Sequence, residues 1–240
     1  MVNLKSTVNN VRGWYIRCAS AFQADETDAI SVPRSMAAWC KRLTHRPFKA
    51  KSPGSNPGAA TISSKRNVID YYRGWENDLI KADLKLKTFP YSVLMVNLNY
   101  DFNFATFLRN ANALGAKNIY YYSAKKRYDK RGTIGTDHYT VPIHIRTGKD
   151  VLKLKKEYTF VAIETGNDGK SLDSFVWPDN PLLIFGSENM GLSQSILDMC
   201  DYRVYIPMYG SVRSFNTGCA SAIVMHDFVR KYKEGNNANS

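Results

Sequence analysis

The residues best suited to chemistry form a loop at positions 185–192, directly after a short apolar run. Gly186 and Gly191 lie on either side of Glu188 in this loop. No GK[ST] follows, the GxGxxG spacing is absent, and Ser187 does not sit in GxSxG, so neither a nucleotide-binding loop nor a hydrolase elbow is indicated. A carboxylate in the centre of the loop would repel phosphate. The loop therefore favours a ligand that is neutral or cationic at its reactive end, as a sulfonium is.

A second polar group follows a strand predicted at 202–206. Pro207 stops that strand, and Ser214 and Asn216 precede a helix predicted over 217–231. Either Ser214 or Asn216 could cap the helix, but capping would explain only one of them. The apolar residues of the helix predict a buried stripe made of Ala220, Ile223, Val224 and Phe228.

A third group lies earlier in the chain, on a helix predicted over 103–114. Asp101 or Asn103 can cap this helix, its apolar side chains share one face, and Gly115 ends it. Arg109 lies six residues after Asn103 on the same helix. An arginine on the polar side of a half-buried helix is by itself a surface cation, and only the two downstream segments favour a role in chemistry.

The elements that must position these groups alternate between strands and helices. Strands are predicted at 91–97, 118–122, 160–163, 182–185 and 202–206, and further helices near 150–157 and 194–199. This alternation predicts an α/β fold with a parallel sheet that helices cover on both faces.

The net charge of +12 is unevenly distributed along the 240 residues. Residues 1–66 contain 11 Lys and Arg against 3 Asp and Glu, which leaves 22 − 18 = +4 for residues 67–240. The first segment shows no sustained periodicity and ends in a run of turn-forming residues, so it is predicted to be an irregular or disordered arm. Its stretch from Trp39 to Gly58 looks like a translated transfer-RNA gene, which suggests a reading frame extended upstream of the true start.

A basic run follows the strand at 118–122. Its cations are Lys125, Lys126, Arg127, Lys130 and Arg131. The run is either a solvated loop or an RNA contact, and its place after a strand end, where α/β proteins bind ligands, makes the second reading worth keeping.

Several classes of protein are disfavoured by the composition. The four cysteines and four histidines are scattered without metal-ligand spacing, so no metal site is expected. No apolar run of about 18 residues could span a bilayer, and the first residues lack a secretory signal. We therefore expect no membrane association and a cytoplasmic location.

The three polar segments, in this order, resemble the SpoU/TrmH family of the SPOUT superfamily, which comprises RNA 2′-O-ribose methyltransferases. Asn103 and Arg109 match the first motif of that family. The glycine loop matches the second motif through Gly186, Glu188 and Gly191. The last motif is matched by Ile206, Pro207, Met208, Gly210, Ser214 and Asn216. The similarity covers about residues 67–233, which we take as the methyltransferase domain, followed by a polar tail at 234–240.

The resemblance implies a carboxyl-terminal trefoil knot that holds S-adenosylmethionine, and a homodimer with the active site at the subunit interface. The cofactor would lie against Gly186, Ile206 and Phe215, with Met208 and Gly191 beside them. Arg109 either accepts the proton of the ribose hydroxyl or stays charged, binds phosphate and lowers the pKa of that hydroxyl. Asn103, Glu188, Ser214 and Asn216 would position the reactants. The substrate would be transfer RNA or ribosomal RNA.

Two other interpretations remain open at this stage. A knotted RNA-binding protein without catalysis would keep the same fold and the basic run. A class I methyltransferase would place its glycine-rich loop after the first strand, whereas the glycines here lie in the last third of the chain.

Overall fold

The computed structural model describes residues 67–96, 102–124, 128–166, 168–187 and 190–237. The amino-terminal arm predicted for residues 1–66 lies outside these described residues, as do Glu188 and the first part of the basic run, Lys125 to Arg127.

Seven parallel strands form a single sheet in the order β3-β2-β1-β6-β4-β7-β5. Their bounds are β1 (Ser92–Val96), β2 (Ile119–Tyr122), β3 (Ile143–Ile145), β4 (Thr159–Ile163), β5 (Lys170–Ser171), β6 (Pro181–Phe185) and β7 (Tyr202–Tyr205). The central strands β1 and β6 are buried along their whole length, because neighbours and helices enclose both of their faces.

Five α-helices accompany the sheet in the described part of the chain. They are α1 (Asn77–Leu86), α2 (Phe102–Ala113), α3 (Gly148–Lys153), α4 (Gln194–Leu197) and α5 (Thr217–Asn237). Single turns of 3-10 helix occur at Asp70–Tyr72, Arg131–Thr133, Thr136–His138, Leu154–Lys156 and Leu172–Ser174. No helix among the described residues is both long and apolar enough to cross a membrane.

Alternate side chains of β1 enter two separate apolar layers. Val93 and Met95 pack with the apolar faces of α2 and α5 on one side of the sheet. Leu94 and Val96 pack with residues of α3 and α4 on the other side. This alternation is the two-residue period of a strand with both faces covered.

The predicted parallel sheet with helices on both faces is confirmed, and all five predicted strands are present within about one or two residues. Strands β3 and β5 and helix α1 were not predicted. The buried stripe predicted for α5 is wrong at one position, because Ile223 is 38% exposed while Val224 and Phe228 are buried. Helix α5 also continues to Asn237, into the residues predicted as a tail.

Helix α2 ends as its sequence predicts. Gly115 has φ +69°, the left-handed conformation that favours glycine, and the amide of Ala116 donates to the carbonyl of Ala111. A Cβ at position 115 would lie 3.0 Å from the Phe89 ring. The glycine thus supplies both the conformation and the space that end the helix.

Candidate active site

A cavity of about 210 Å³ lies at the carboxyl ends of the adjacent strands β6, β4 and β7. Its walls come from residues 163–165 after β4, residues 185–187 after β6, and the segment that follows β7. Ligands of open parallel sheets bind at this edge, where the loops leave the strands.

The cavity brings together the residues predicted to hold the cofactor. Five of the lining residues are those predicted to bind the cofactor: Gly186, Gly191, Ile206, Met208 and Phe215. The predicted catalytic residue Ser214 lines the cavity as well. They come from two segments about 20 residues apart, so the fold unites two sequence motifs in one cavity. Their binding of a cofactor stays a prediction.

Gly186 and Gly191 are in close backbone contact across the neck of their loop. The amide of Gly191 donates to the carbonyl of Ser187 at 2.9 Å, and the two residues form an antiparallel bridge. A Cβ on Gly186 would overlap the backbone of Gly191, which itself has φ +60°. Both glycines are therefore required by close approach and by backbone conformation.

Among the described residues that line the cavity, only Glu164 has a carboxylate. It was not predicted from the sequence. Its two oxygens accept hydrogen bonds from the amides of Leu192 and Thr165, each at 2.9 Å. Glu164 thereby fixes the end of the glycine loop to the end of β4. Its place directly after a buried strand was the only signal that could have pointed to it.

Asn216 caps α5 and also joins it to α2. Its Oδ1 accepts from the amides of Gly218 and Cys219 at 2.9 and 3.3 Å. Its Nδ2 donates to Oδ1 of Asn103 at 2.8 Å, so the first and last predicted motifs meet. Asn103 lies inside the first turn of α2 and does not cap that helix.

Two further residues of α2 face the start of α5 at helical spacing from Asn103. The side-chain amide of Asn110 donates to the carbonyl of Gly218 at 2.8 Å and to the Ser221 hydroxyl at 3.0 Å. A Cβ on Gly218 would lie 2.9 Å from the methyl group of Thr106. The row of positions 103, 106 and 110 thus holds α5 closely against α2.

Arg109 lies half-buried on α2 but does not line the cavity of the cofactor motifs. It lines a larger groove of about 1100 Å³ between α2, α1 and the residues before β1 and β2. Within the described residues it makes no ion pair or hydrogen bond. Its guanidinium is therefore available to a ligand.

The described part of the basic run is already ion-paired. Lys130 lies 3.1 Å from Asp137, and Arg131 binds Asp129 through two nitrogens. The hydrogen bonds from Arg131 lower the pKa of Asp129 to about 2. An RNA contact at Lys130 or Arg131, which remains a prediction, would have to compete with these pairs.

The polar groups of this edge suit binding and positioning. One carboxylate, one guanidinium from Arg213, backbone amides and apolar side chains line the cavity. The described residues contain no group of three His, Cys, Asp or Glu side chains that could hold a metal ion.

Comparison with known proteins adds a family and a fold. A sequence model described as the SpoU rRNA Methylase family matches residues 90–226, more than half of the chain. A tRNA (guanosine(18)-2′-O)-methyltransferase of Aquifex aeolicus is 27% identical over 144 residues, which cover 58% of this chain and 68% of the relative.

Solved structures show the same architecture. The A. aeolicus TrmH/SpoU tRNA modifying enzyme superposes with a TM-score of 0.59 at 22% identity, covering 67% of this chain and 84% of that one. The SpoU methyltransferase AviRb from Streptomyces viridochromogenes, in complex with the cofactor AdoMet, gives 0.54 at 25% identity and covers 60% of each chain.

Proposed function

The chain belongs to the SpoU rRNA Methylase family, and from that premise we propose that it transfers a methyl group from S-adenosylmethionine to a ribose 2′-hydroxyl of transfer or ribosomal RNA. S-adenosylmethionine supplies a methyl group on a positively charged sulfur. In this transfer the carbon–sulfur bond would break as the bond to the ribose oxygen forms. The sulfur would keep the electron pair as neutral S-adenosylhomocysteine, and the hydroxyl proton would pass to solvent water. An enzyme that acts on these RNAs works where they are found, so the proposal includes a cytoplasmic location.

The observation that carries the proposal is the single cavity lined by both cofactor motifs. Gly186 and Gly191 add only backbone to the cavity wall, and Ile206, Met208 and Phe215 add apolar side chains. The cavity is lined by the carboxylate of Glu164 and the guanidinium of Arg213, which suits a ligand that carries both a cationic sulfonium and a carboxylate. These features fit S-adenosylmethionine, with Gly186, Gly191, Ile206, Met208 and Phe215 as its contacts.

A ribose hydroxyl is a weak nucleophile until its proton is removed or polarised. Arg109 is the group that we assign to this step, because it is half-buried on α2 and has no carboxylate partner among the described residues. A guanidinium is a poor base, since its ordinary pKa is above about 12. Its place in the larger groove, outside the cofactor cavity, therefore favours the alternative in which it stays charged, binds phosphate and lowers the pKa of the ribose hydroxyl.

The remaining predicted residues position the reactants. Asn103 and Asn216 fix α2 against α5 through their amide contact. Ser214 lies in the cavity wall and can orient the ribose or the cofactor. For Glu188, which lies outside the described residues, the same positioning role rests on the motif alone.

The proposal includes a homodimer with the active site at the interface. Three large apolar side chains around the cofactor motifs are exposed: Met190 by 75%, Tyr209 by 93% and Val212 by 64%. An exposed apolar patch is one mark of a protein contact surface. A second subunit placed there would cover them and close the cavity.

It also includes a trefoil knot in the carboxyl-terminal third. The strand order supports it, and so does the cavity that the Gly186 and Gly191 loop and the segment after β7 line together. A crystal structure in which the segment 206–216 passes outside the loop 186–191 would exclude the knot.

The test of the proposed function has two parts. Isothermal titration of the purified chain with S-adenosylmethionine should show binding, and tritium from the labelled methyl group should appear in transfer or ribosomal RNA as alkali-resistant 2′-O-methylated dinucleotides. Arg109→Ala should lower the single-turnover rate by about 100-fold or more, the scale of losing one electrostatic group at a reacting centre. It should leave cofactor affinity unchanged, because Arg109 lies outside the cofactor cavity.

Arg109→Lys separates the two roles of the guanidinium. Lysine keeps the charge but loses the planar guanidinium. If binding of phosphate through two nitrogens matters, Arg109→Lys should be only slightly faster than Arg109→Ala. Near-wild-type rate in Arg109→Lys would exclude a role that needs the fork. Cofactor binding without any methyl transfer to RNA would overturn the proposed function in favour of an inactive binding protein.

A further inference from the structure

We propose that the groove between α1 and α2 binds a single strand of the substrate RNA and guides it to Arg109. The groove is lined by residues of α1 and α2, by residues 67–72 and 115–119, and by residues 136–143. This inference rests on the proposed function and names the surface that the substrate would occupy.

The size of the groove suits a polymer. Its volume of about 1100 Å³ exceeds the roughly 300–1000 Å³ usual for pockets that enclose small molecules. It follows α2 from Thr106 to Ala113, a path of roughly 10 Å at about 1.5 Å per residue. A nucleic acid strand could lie along such a path and continue beyond both ends.

The charge of the groove is of one sign. Five cations line it, Lys81, Lys85, Lys87, Arg109 and Lys117, and no carboxylate does. Lys81 and Lys87 are paired with Asp78 and Asp83 outside the lining. In the described part of the chain, Lys85, Arg109 and Lys117 make no ion pair, so three cations are free to bind phosphate groups.

One wall of the groove is apolar as well as exposed. Ile69 and Val141 are each 67% exposed, and Ile143 is exposed beside them. Unpaired bases can pack on such a surface while their phosphates contact lysines, whereas a duplex keeps its bases stacked inside. The combination favours a single strand or a loop.

One end of the groove reaches the candidate active site. Thr106 lines the groove and contacts Gly218 at the start of α5. Gly218 follows Thr217, which lines the cofactor cavity. A strand in the groove would therefore approach the amino terminus of α5, where the two predicted motifs meet.

The lining has cations and no carboxylate, so its charge calls for an anionic ligand. A polyanion is the complementary partner.

The experiment is a binding titration of the full chain with a fluorescein-labelled oligouridine of about 12 nucleotides, within the site sizes known for single-strand grooves. The test variant is Lys85→Glu/Lys117→Glu, two exposed residues whose change should not disturb the core. The matched control is Lys149→Glu/Lys156→Glu. These two lysines are also exposed and make no ion pair among the described residues, and the change in net charge is identical.

The groove variant should bind the oligonucleotide about tenfold more weakly, and its slope of log affinity against log salt should be shallower by about 1.4, or about 0.7 for each lost phosphate contact. The control should keep the wild-type slope. Both variants should bind S-adenosylmethionine with wild-type affinity. Steady-state methylation by the groove variant should show a raised KM for RNA with little change in kcat.

Equal weakening of the test and control variants would overturn the proposal, since it would show only a general charge effect. So would a mass change in the groove variant alone, measured by light scattering, because the groove would then be a contact between copies of the chain. If the wild type methylates RNA but Lys85→Glu/Lys117→Glu binds the oligonucleotide as tightly as the wild type does, only the groove proposal is refuted. Groove-dependent RNA binding without methylation would refute the proposed function alone.

Discussion

The side-chain amide of Asn216 makes two contacts that different substitutions can separate. Its oxygen caps α5 by accepting from Gly218 and Cys219, and its nitrogen donates to Asn103. The first contact stabilises a helix end, and the second holds α2 and α5 in register beside the cofactor cavity.

We expect Asn216→Asp to keep the cap and lose the link. Aspartate caps helices about as well as asparagine, so the free energy of unfolding should stay close to wild type, while Asn216→Ala should lose about 1 kcal/mol. Asn216→Asp should nevertheless slow methyl transfer, because its carboxylate repels the Asn103 oxygen.

Urea denaturation and single-turnover transfer measure the two effects separately. Asn180→Asp serves as the control, since it removes an amide contact to the Glu157 carbonyl away from the cavity. A wild-type transfer rate in Asn216→Asp would show that the link to Asn103 has no part in the reaction.

Single residues were predictable where a motif marked them. The glycines of the loop and the polar residues before α5 stood out by type and spacing. The fold brings Gly186, Gly191 and Ser214 to one cavity, and Asn216 to the start of α5. Glu164, Thr106 and Asn110 did not stand out, because a glutamate after a strand or a threonine in a helix is common. Their contacts depend on the tertiary packing of β4 and of α2 against α5.

Among the elements, α2 carries two of the predicted catalytic residues, Asn103 and Arg109, and Gly115 fixes where it ends. Gly115 and Gly74 both have positive φ, but only Gly115 is crowded, by the Phe89 ring and the Lys87 carbonyl. Comparing alanine substitutions at these two glycines therefore separates the cost of backbone strain from the cost of crowding.

Gly74→Ala should cost about 1 kcal/mol of stability, the scale of placing alanine in the left-handed region. Gly115→Ala should cost a further 1–3 kcal/mol or so, because its methyl group must displace packed atoms. Chemical denaturation of both variants provides the measurement, and equal losses would contradict the crowding at Gly115.

A second element, β7, is joined to β4 at its start by Asp201. The carboxylate accepts from Lys155 at 2.9 Å and from the amide of Phe160 at 2.8 Å. Partial burial alone would raise the pKa of Asp201, but these hydrogen bonds outweigh it and lower the pKa below its ordinary value.

Because the folded-state pKa is lowered, this contribution is present above the unfolded pKa of about 3.9 and is lost as pH falls through the folded value. We expect Asp201→Asn to be less stable than wild type at neutral pH, and the difference to shrink in acid. Urea midpoints measured from neutral pH to about pH 2 test this.

Asp179→Asn is the control, because Asp179 is exposed and makes no ion pair in the described part of the chain. A difference between wild type and Asp201→Asn that stays constant across the pH range would rule out the carboxylate as its source.

The elements that were not predicted are either very short or carry a charged residue on their buried face. Strand β3 has three residues and β5 has two, too few for a recognisable period, and both lie outside the centre of the sheet. Helix α1 buries Asp83 beside Ile80, where Asp83 accepts from the Tyr72 hydroxyl and pairs with Lys87. A charged residue on the buried side conceals the helical stripe in the sequence.

At the scale of the whole molecule, the exposed apolar residues near the cofactor motifs carry the prediction of a homodimer. Light scattering should give twice the chain mass of 27.2 kDa for the wild type. Tyr209→Glu/Val212→Glu should halve that mass and abolish transfer, because charged groups cannot be buried in an apolar contact without a large cost.

Val176→Glu is the control, since Val176 is also exposed, by 85%, but belongs to the segment before β6. It should leave the mass unchanged. A wild type that elutes and scatters as a monomer at micromolar concentration would contradict the dimer.

The order of the strands has a consequence for synthesis on the ribosome. Strand β1 lies in the middle of the sheet, and one of its neighbours there, β6, is far away in the sequence. Ser92 of β1 pairs with Leu182 of β6, 90 residues later. Until β6 has left the exit tunnel, one edge of β1 presents unpaired backbone N–H and C=O groups, and a topology with such distant pairs folds slowly. The nascent chain therefore completes its sheet late in translation, and we expect general chaperones to shield it during that interval.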